Sequence, residues 1–216
     1  MLKHTLLVKL FTAFAKLTGL FPALLFFKPR VHTENARASR RLPKNCILVS
    51  NHKSLMDFVL YMLVFPLRTP RFLMAEVLFN KGKPLALLLT LLGGIRVDRN
   101  AYDFGFVSDA LTVLDKGGTL GVFPEGRLPV GGKPFPFTVS TAFIASHTDA
   151  PIVPVFTDGQ YGLFKRAGVM IGEPIDIRLW TNDSLPEDER LNDVTAKLQA
   201  HVYALGEELE RRKAGD

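Results

Sequence analysis

The sequence predicts an α/β fold: a single layered domain with a mostly parallel or mixed sheet flanked by helices. Three observations predict it. Short apolar runs rich in β-branched residues, such as CILV at 46–49 and IVPVF at 152–156, have the length of buried strands. Between them lie segments whose apolar residues recur at spacings of three and four, the helical period. The two kinds alternate along the chain, the pattern of helices packed on both faces of one sheet. With 216 residues, 47% of them apolar and 22% charged, there is material for one sizeable core, and neither repeat nor linker divides the chain.

The N-terminal segment, residues 1–30, stands apart from the domain expected over 31–216. On a helical projection Thr5, Lys9, Thr12 and Lys16 share one stripe, and Leu6, Leu7, Leu10, Phe11, Phe14 and Leu17 fall opposite. A second apolar piece, Leu20 to Phe27, follows Gly19, is interrupted by Pro22 and is closed by Lys28 and Arg30. No uninterrupted run reaches the roughly 20 apolar residues of a bilayer span. The expectation is an amphipathic helix lying in a membrane interface, monotopic and on the cytoplasmic face. Lysines within the apolar stretch and the lack of a small-residue cleavage site argue against a secretory signal.

A short strand is expected around Arg30–His32, then the strand at 46–49. From Ser54 the apolar residues Leu55, Phe58, Val59 and Met62 take up helical spacing. Arg71–Ala75 reads as a strand, Lys83–Leu92 as a short apolar helix ended by Gly93-Gly94, and Gly94–Val97 as a strand. Phe104–Lys116 is an amphipathic helix closed by Gly117-Gly118, and Thr119–Phe123 is the next strand. A loop dense in Gly and Pro (124–136) precedes a helix over Phe137–His147. A strand follows at Ile152–Phe156, and Val169–Ile171 with Ile175–Leu179 supply one or two more. The last helix opens at Ser184 with a cap, an early proline and acidic first-turn residues, and carries a stripe of Leu191, Val194, Leu198, Val202, Leu205 and Leu209.

Charge and cysteine usage narrow the partners. Nine Lys or Arg and one Glu in residues 1–44 give that segment +8 of an overall +6, leaving −2 for the remaining 172 residues. The basic character therefore belongs to the N-terminal segment, where Leu and Phe interleave at helical spacing. That combination suits an anionic lipid surface better than nucleic acid. The single cysteine, Cys46, excludes a disulfide framework. Five scattered histidines, with neither CxxC nor HExxH, indicate no metal site.

Three strand ends carry polar groups in apolar surroundings: Asn51-His52-x4-Asp57, Gly94-Ile-Arg-Val-Asp98-Arg99 and Phe123-Pro-Glu125-Gly126-Arg127. The first lies at a strand-to-helix junction, where α/β proteins tend to keep their ligands. An imidazole held by a carboxylate on one nitrogen has the other nitrogen free to take a proton. The same residues also fit a plainer role, since Ser54-Leu-Met-Asp57 matches a capping box that ties down a helix start. Arginine suits phosphate through paired hydrogen bonds, and an adjacent glycine lets backbone N–H groups approach an anion.

Taken together, Asn51-His52-x4-Asp57, GGIRVDR (93–99), FPEG (123–126) and APIVPV (150–155) resemble, in order, the four motif blocks of the PlsC-like glycerophospholipid acyltransferases, which include the 1-acylglycerol-3-phosphate acyltransferases. The resemblance covers roughly residues 44–178. It implies transfer of a fatty acyl group from acyl-CoA or acyl-carrier protein, as co-substrate and with no cofactor, to the free hydroxyl of a lysophospholipid at a membrane surface. It makes His52 the general base and Asp57 the carboxylate that orients it. It sets Arg99, Glu125, Gly126 and Arg127 around the acceptor. The common family pattern after FPEG is Thr-Arg-Ser, whereas this chain has Arg127-Leu128-Pro129. FPEG followed directly by Arg is similar to the lysophosphatidylethanolamine acyltransferase subgroup, so that acceptor stands beside 1-acylglycerol-3-phosphate. A hydrolase is disfavoured because no Gly-x-Ser-x-Gly elbow occurs. A non-catalytic lipid-binding protein would explain the N-terminus but gives no reason for His52 and Asp57.

Overall fold

The runs CILVS and IVPVFT are buried at every position, so both faces of these strands are covered. They lie side by side in the middle of the sheet. The computed structural model describes residues 2–98, 105–182 and 184–215. Its elements in order are α1 (Leu2–Phe27), β1 (Arg30–Thr33), β2 (Cys46–Ser50), α2 (Asp57–Val64), β3 (Arg71–Ala75), α3 (Glu76–Phe79), α4 (Lys83–Leu91), β4 (Ile95–Val97), α5 (Gly105–Asp115), β5 (Thr119–Val122), α6 (Ser140–Ser146), β6 (Ile152–Thr157), β7 (Gly168–Ile171), a 3₁₀ turn (Ile177–Trp180) and α7 (Glu187–Gly215). Among the described residues the seven strands form one sheet in the order β1-β7-β6-β2-β5-β3-β4. β6, β2, β5, β3 and β4 are parallel, whereas β7 is antiparallel to β6 and β1 is parallel to β7. The expected mixed, mostly parallel α/β sheet is the one observed.

The pleat divides the core. Ile47 and Val49 of β2 face a cluster with α5, α6 and α7 side chains, including Val113, Ile144, Leu198 and Val202. Cys46 and Leu48 face the opposite cluster, with Leu60, Tyr61 and Val64 of α2, Leu89 of α4 and Phe27 at the end of α1. After β2 the chain moves toward β3, and after β5 it moves the other way toward β6. The adjacent ends of β2 and β5 are thus the point at which the winding changes direction, the place where open α/β sheets keep their ligands.

Two glycine pairs stop helices as expected, by the same geometry. Gly94 donates to Leu89 and Gly93 to Thr90; Gly118 donates to Val113 and Gly117 to Leu114. Gly93 and Gly117 hold φ of +87° and +71°, the left-handed conformation this double closure needs.

Four boundaries differ from expectation. α2 begins at Asp57 rather than Ser54, because the Asp57 carboxylate accepts the N–H groups of Lys53 and Ser54 and holds that turn open. α6 begins at Ser140 rather than Phe137. The Phe137 N–H goes to Gln199 of α7, and Thr138 donates twice to the Pro124 carbonyl. Residues 175–179 make no strand: Ile175 forms one bridge to Ile152, and the Asp176 carboxylate then accepts the Arg178 N–H and turns the chain. Ser184 is not the cap of α7, since its N–H and hydroxyl both go to Asn182; the acidic first turn is Glu187, Asp188 and Glu189.

The N-terminal helix runs on past Gly19, with a 62° bend between Leu10–Gly19 and Phe21–Phe27. Pro22, which cannot donate to the helical ladder, stands at that bend. Thr12 points inward and donates to the Leu91 carbonyl of α4. Leu6, Leu10, Phe14, Leu17 and Phe21, spaced by four, four, three and four, are exposed on the outer side, as are Leu85, Leu87 and Leu88 of α4. No single helix among the described residues is long and apolar enough to cross a membrane, although the two halves of α1 pass that test together as a bent pair.

Candidate active site

The turn leaving β2 is built to present one imidazole. Asn51 anchors it: its side chain donates to the Thr157 carbonyl and accepts the Thr157 N–H, both at 2.9 Å, clasping the ends of β2 and β6. The His52 backbone N–H donates to Glu125 Oε1 at 3.1 Å, tying the same turn to the end of β5. His52 Nδ1 lies 2.8 Å from Asp57 Oδ2, and the Asp57 side chain is fully buried while that of His52 keeps 14% exposure. The histidine ring stacks on Phe123, centroids 4.2 Å apart and planes at 12°. Backbone, edge and face of the imidazole are all fixed, and the bond at Nδ1 leaves Nε2 as the nitrogen that can take a proton.

The buried carboxylate of Asp57 has a full set of donors. Oδ2 accepts the N–H groups of Lys53 (2.7 Å) and Ser54 (3.0 Å) besides the imidazole, and Oδ1 accepts the Tyr161 hydroxyl at 2.5 Å. Such bonding satisfies the oxygens of a carboxylate taken out of water. The two sequence readings of Asp57 therefore coexist: it organises the helix start and holds His52. Burial, and then the negative charge of Asp57, push the Tyr161 hydroxyl far above the ordinary phenol range, so it remains a donor. Tyr61 is shifted the same way for the same reasons and pairs closely with Ser50.

Glu125 is buried, 3% exposed, and its Oε1 is shared between the His52 N–H and the Tyr203 hydroxyl of α7 at 2.9 Å. Its Oε2 has no hydrogen-bond partner among the described residues. Burial and the bond to Glu125 raise the Tyr203 hydroxyl well above its usual range. Gly126 takes φ +68° and closes the turn by donating to Phe123. Arg127 is exposed, with its guanidinium over the Phe135 ring at 4.5 Å. Arg99 lies outside the described residues, while its neighbour Arg96 pairs with Glu76. Among the described residues no group of three or more His, Cys, Asp or Glu is placed to hold a metal ion.

The structure thus brings His52, Asp57 and Glu125 together and sets Gly126 in the same turn. Sequence reasoning missed Tyr161, Tyr203 and the Asn51–Thr157 clasp. A faint signal existed for Tyr161, an aromatic set between Gly159 and Gly162 in the loop after β6. None existed for Tyr203, which reads as the wet side of a surface helix.

Comparison with known proteins shows what the chain as a whole is similar to. Residues 28–158 match the family model described as acyltransferase. A 1-acyl-sn-glycerol-3-phosphate acyltransferase of Limnanthes alba is 29% identical over 163 residues, covering 70% of this chain and 57% of that protein. The human 1-acyl-sn-glycerol-3-phosphate acyltransferase beta is 31% identical over 129 residues, covering 55% and 44%. The crystal structure of the 1-acyl-sn-glycerophosphate (LPA) acyltransferase PlsC from Thermotoga maritima superposes with a TM-score of 0.60 at 26% identity, covering 92% of this chain and 79% of that one. The chain spans about half the length of the curated relatives it matches.

Proposed function

This chain belongs to the acyltransferase family, and from that premise we propose that it moves a fatty acyl group from a thioester donor to the free hydroxyl of a lysophospholipid. The observation that carries the proposal is the 2.8 Å bond between His52 Nδ1 and the buried Asp57, on a ring otherwise fixed by Phe123. A lysophospholipid hydroxyl is a poor nucleophile until its proton leaves. His52 Nε2 takes that proton as the oxygen attacks the thioester carbonyl, and Asp57 stabilises the imidazolium and keeps its tautomer. The tetrahedral intermediate collapses, the C–S bond breaks, and the imidazolium returns the proton to the departing thiolate. The products are the acylated phospholipid and a free thiol on coenzyme A or acyl-carrier protein. The thioester is already activated, so neither an enzyme nucleophile nor a cofactor enters the step.

The unpartnered Oε2 of Glu125 is the atom offered to an acceptor hydroxyl, and Arg99 and Arg127 are the cations offered to its phosphate. The acceptor is 1-acylglycerol-3-phosphate. The alternative, lysophosphatidylethanolamine, is favoured by one observation: Arg127 follows FPEG directly and lies out over Phe135 rather than buried, leaving room for a substituted phosphate. The outward apolar stripe of α1 rests in the lipid interface on the cytoplasmic face, without spanning.

The test is an acyl-transfer assay on vesicles. It offers lysophosphatidic acid and lysophosphatidylethanolamine in parallel, each with acyl-CoA and with acyl-carrier protein. Transfer to lysophosphatidic acid is the expected result. Release of free fatty acid alone would make the protein a hydrolase. Binding of lipid with no transfer in any of the four arms would make it a lipid-binding protein.

A further inference from the structure

Tyr161 occupies a junction that the acyl-transfer step, as drawn above, does not use. Its hydroxyl donates to Asp57 Oδ1 at 2.5 Å, on the side of the carboxylate away from His52, and lies 3.3 Å from Thr157 Oγ1. Its ring meets the Phe27 ring edge-on, centroids 5.0 Å apart. Phe27 is the last residue of α1 and is 1% exposed. The loop carrying Tyr161 is bonded to the same helix end: Gly162 donates to the Phe26 carbonyl, Ala167 to that of Phe27, and Lys28 closes on Leu163. A continuous chain of contacts therefore runs from the final turn of the outward-facing apolar helix to the carboxylate that holds the catalytic histidine.

We propose that Tyr161 is a positioning residue for the His52–Asp57 pair and that it passes the seating of α1 to that pair through Phe27. The proposal rests on the proton-transfer role given to His52 above. The hydroxyl fixes the carboxylate plane and draws part of its charge away from the imidazole, so the ring accepts a proton and releases it again. The other titratable or charged groups near the pair are Glu125 from the end of β5, Tyr61 from α2, Asp158 beside β6 and Lys53 in the same turn. α2, which begins at Asp57, also packs on α1, but Tyr161 is the group that bonds the carboxylate and meets Phe27 with the same ring.

The test uses the full chain on vesicles carrying the acceptor. Tyr161→Phe keeps the ring against Phe27 and removes only the hydroxyl. Loss of a hydrogen bond to a charged group predicts a fall in kcat of about 10-fold or more, with KM for the acceptor within about twofold. With more charge left on Asp57, the imidazolium is favoured, and the acid limb of the kcat–pH profile moves to higher pH. The His52 Nδ1–H proton resonance moves downfield as its bond to Asp57 strengthens. A variant that merely unfolds more easily lowers Tm and leaves both the limb and the resonance in place, which would overturn the proposal, as would unchanged kcat. Phe27→Leu is expected to reproduce part of the kcat loss and to add little in combination with Tyr161→Phe. A fully multiplicative double variant would remove α1 from the proposal. If the wild-type chain transfers no acyl group, the proposed function fails, and the resonance still decides whether Tyr161 positions the pair.

Discussion

His52 is held from four directions: by Asp57 at its edge, Glu125 at its backbone N–H, Phe123 at its face and the Asn51 clasp behind it. Replacement by alanine removes the base and little else. His52→Ala is expected to lower turnover by about 10²–10⁴-fold in the acyl-transfer assay, with the circular dichroism spectrum unchanged. The aromatic support reaches deeper. Phe123 stacks on Phe72 at 5.0 Å, and Phe72 occupies the space a side chain at Gly121 would need; a Cβ there would come within 2.5 Å of the ring. Gly121→Ala is therefore expected to cost about 1–3 kcal/mol of stability by denaturant titration, and to lower kcat by disturbing the stack under His52. At this scale the sequence was legible where contacts are local. The Asp57–His52 bond spans five positions, so the motif could be read directly. Tyr161 reaches Asp57 across 104 positions and Tyr203 reaches Glu125 across 78, and no spacing rule connects residues so far apart.

The secondary elements follow the same division. Strands with both faces buried announce themselves as apolar runs, and glycine pairs announce helix ends, because each signal is intrinsic to the segment. One misread boundary arises where distant groups intervene, as Gln199 does at Phe137 and Pro124 at Thr138; the others are set by short-range bonds to the Asp57, Asp176 and Asn182 side chains that compete with helix or strand. The 3₁₀ turn at 177–180 was missed because Asp176 ends an apolar segment that looks like a strand. Helix α7 carries a glycine in its middle, which ordinarily weakens a helix. Gly206 packs on the Phe156 ring, and a Cβ would approach that ring to 2.6 Å. Gly206→Ala gains helix propensity and loses this contact. The steric term is the larger, and a net loss of about 1–3 kcal/mol is expected from thermal or urea unfolding.

For the whole molecule, the decisive feature is the reversal of direction at β7. Because β1 and β7 run opposite to the central strands, the start of β1, and with it the end of α1, lies at the edge of the sheet where His52 sits. The end of α1 therefore meets the edge that carries His52, while Thr12, bonded to Leu91 just ahead of β4, lies toward the other edge, so the apolar stripe runs along the molecule and finishes beside the site. Replacing Leu10, Phe14 and Leu17 by serine is expected to weaken sedimentation with anionic vesicles by at least about tenfold and to leave the unfolding midpoint nearly unchanged, since these residues are exposed already. The amphipathic pattern was readable from sequence. So was the expectation that its apolar side faces outward; the contact that seats the other side, the Thr12 hydroxyl on the Leu91 carbonyl of α4, was not.

Ending a greasy anchor beside a reactive histidine has a kinetic corollary. An acceptor confined to the same sheet of lipid finds the site by sideways diffusion and never has to dissolve. Velocity should then track the mole fraction of lysolipid in the vesicle: adding inert phospholipid at a constant amount of acceptor should slow the reaction, even though the quantity per millilitre has not changed.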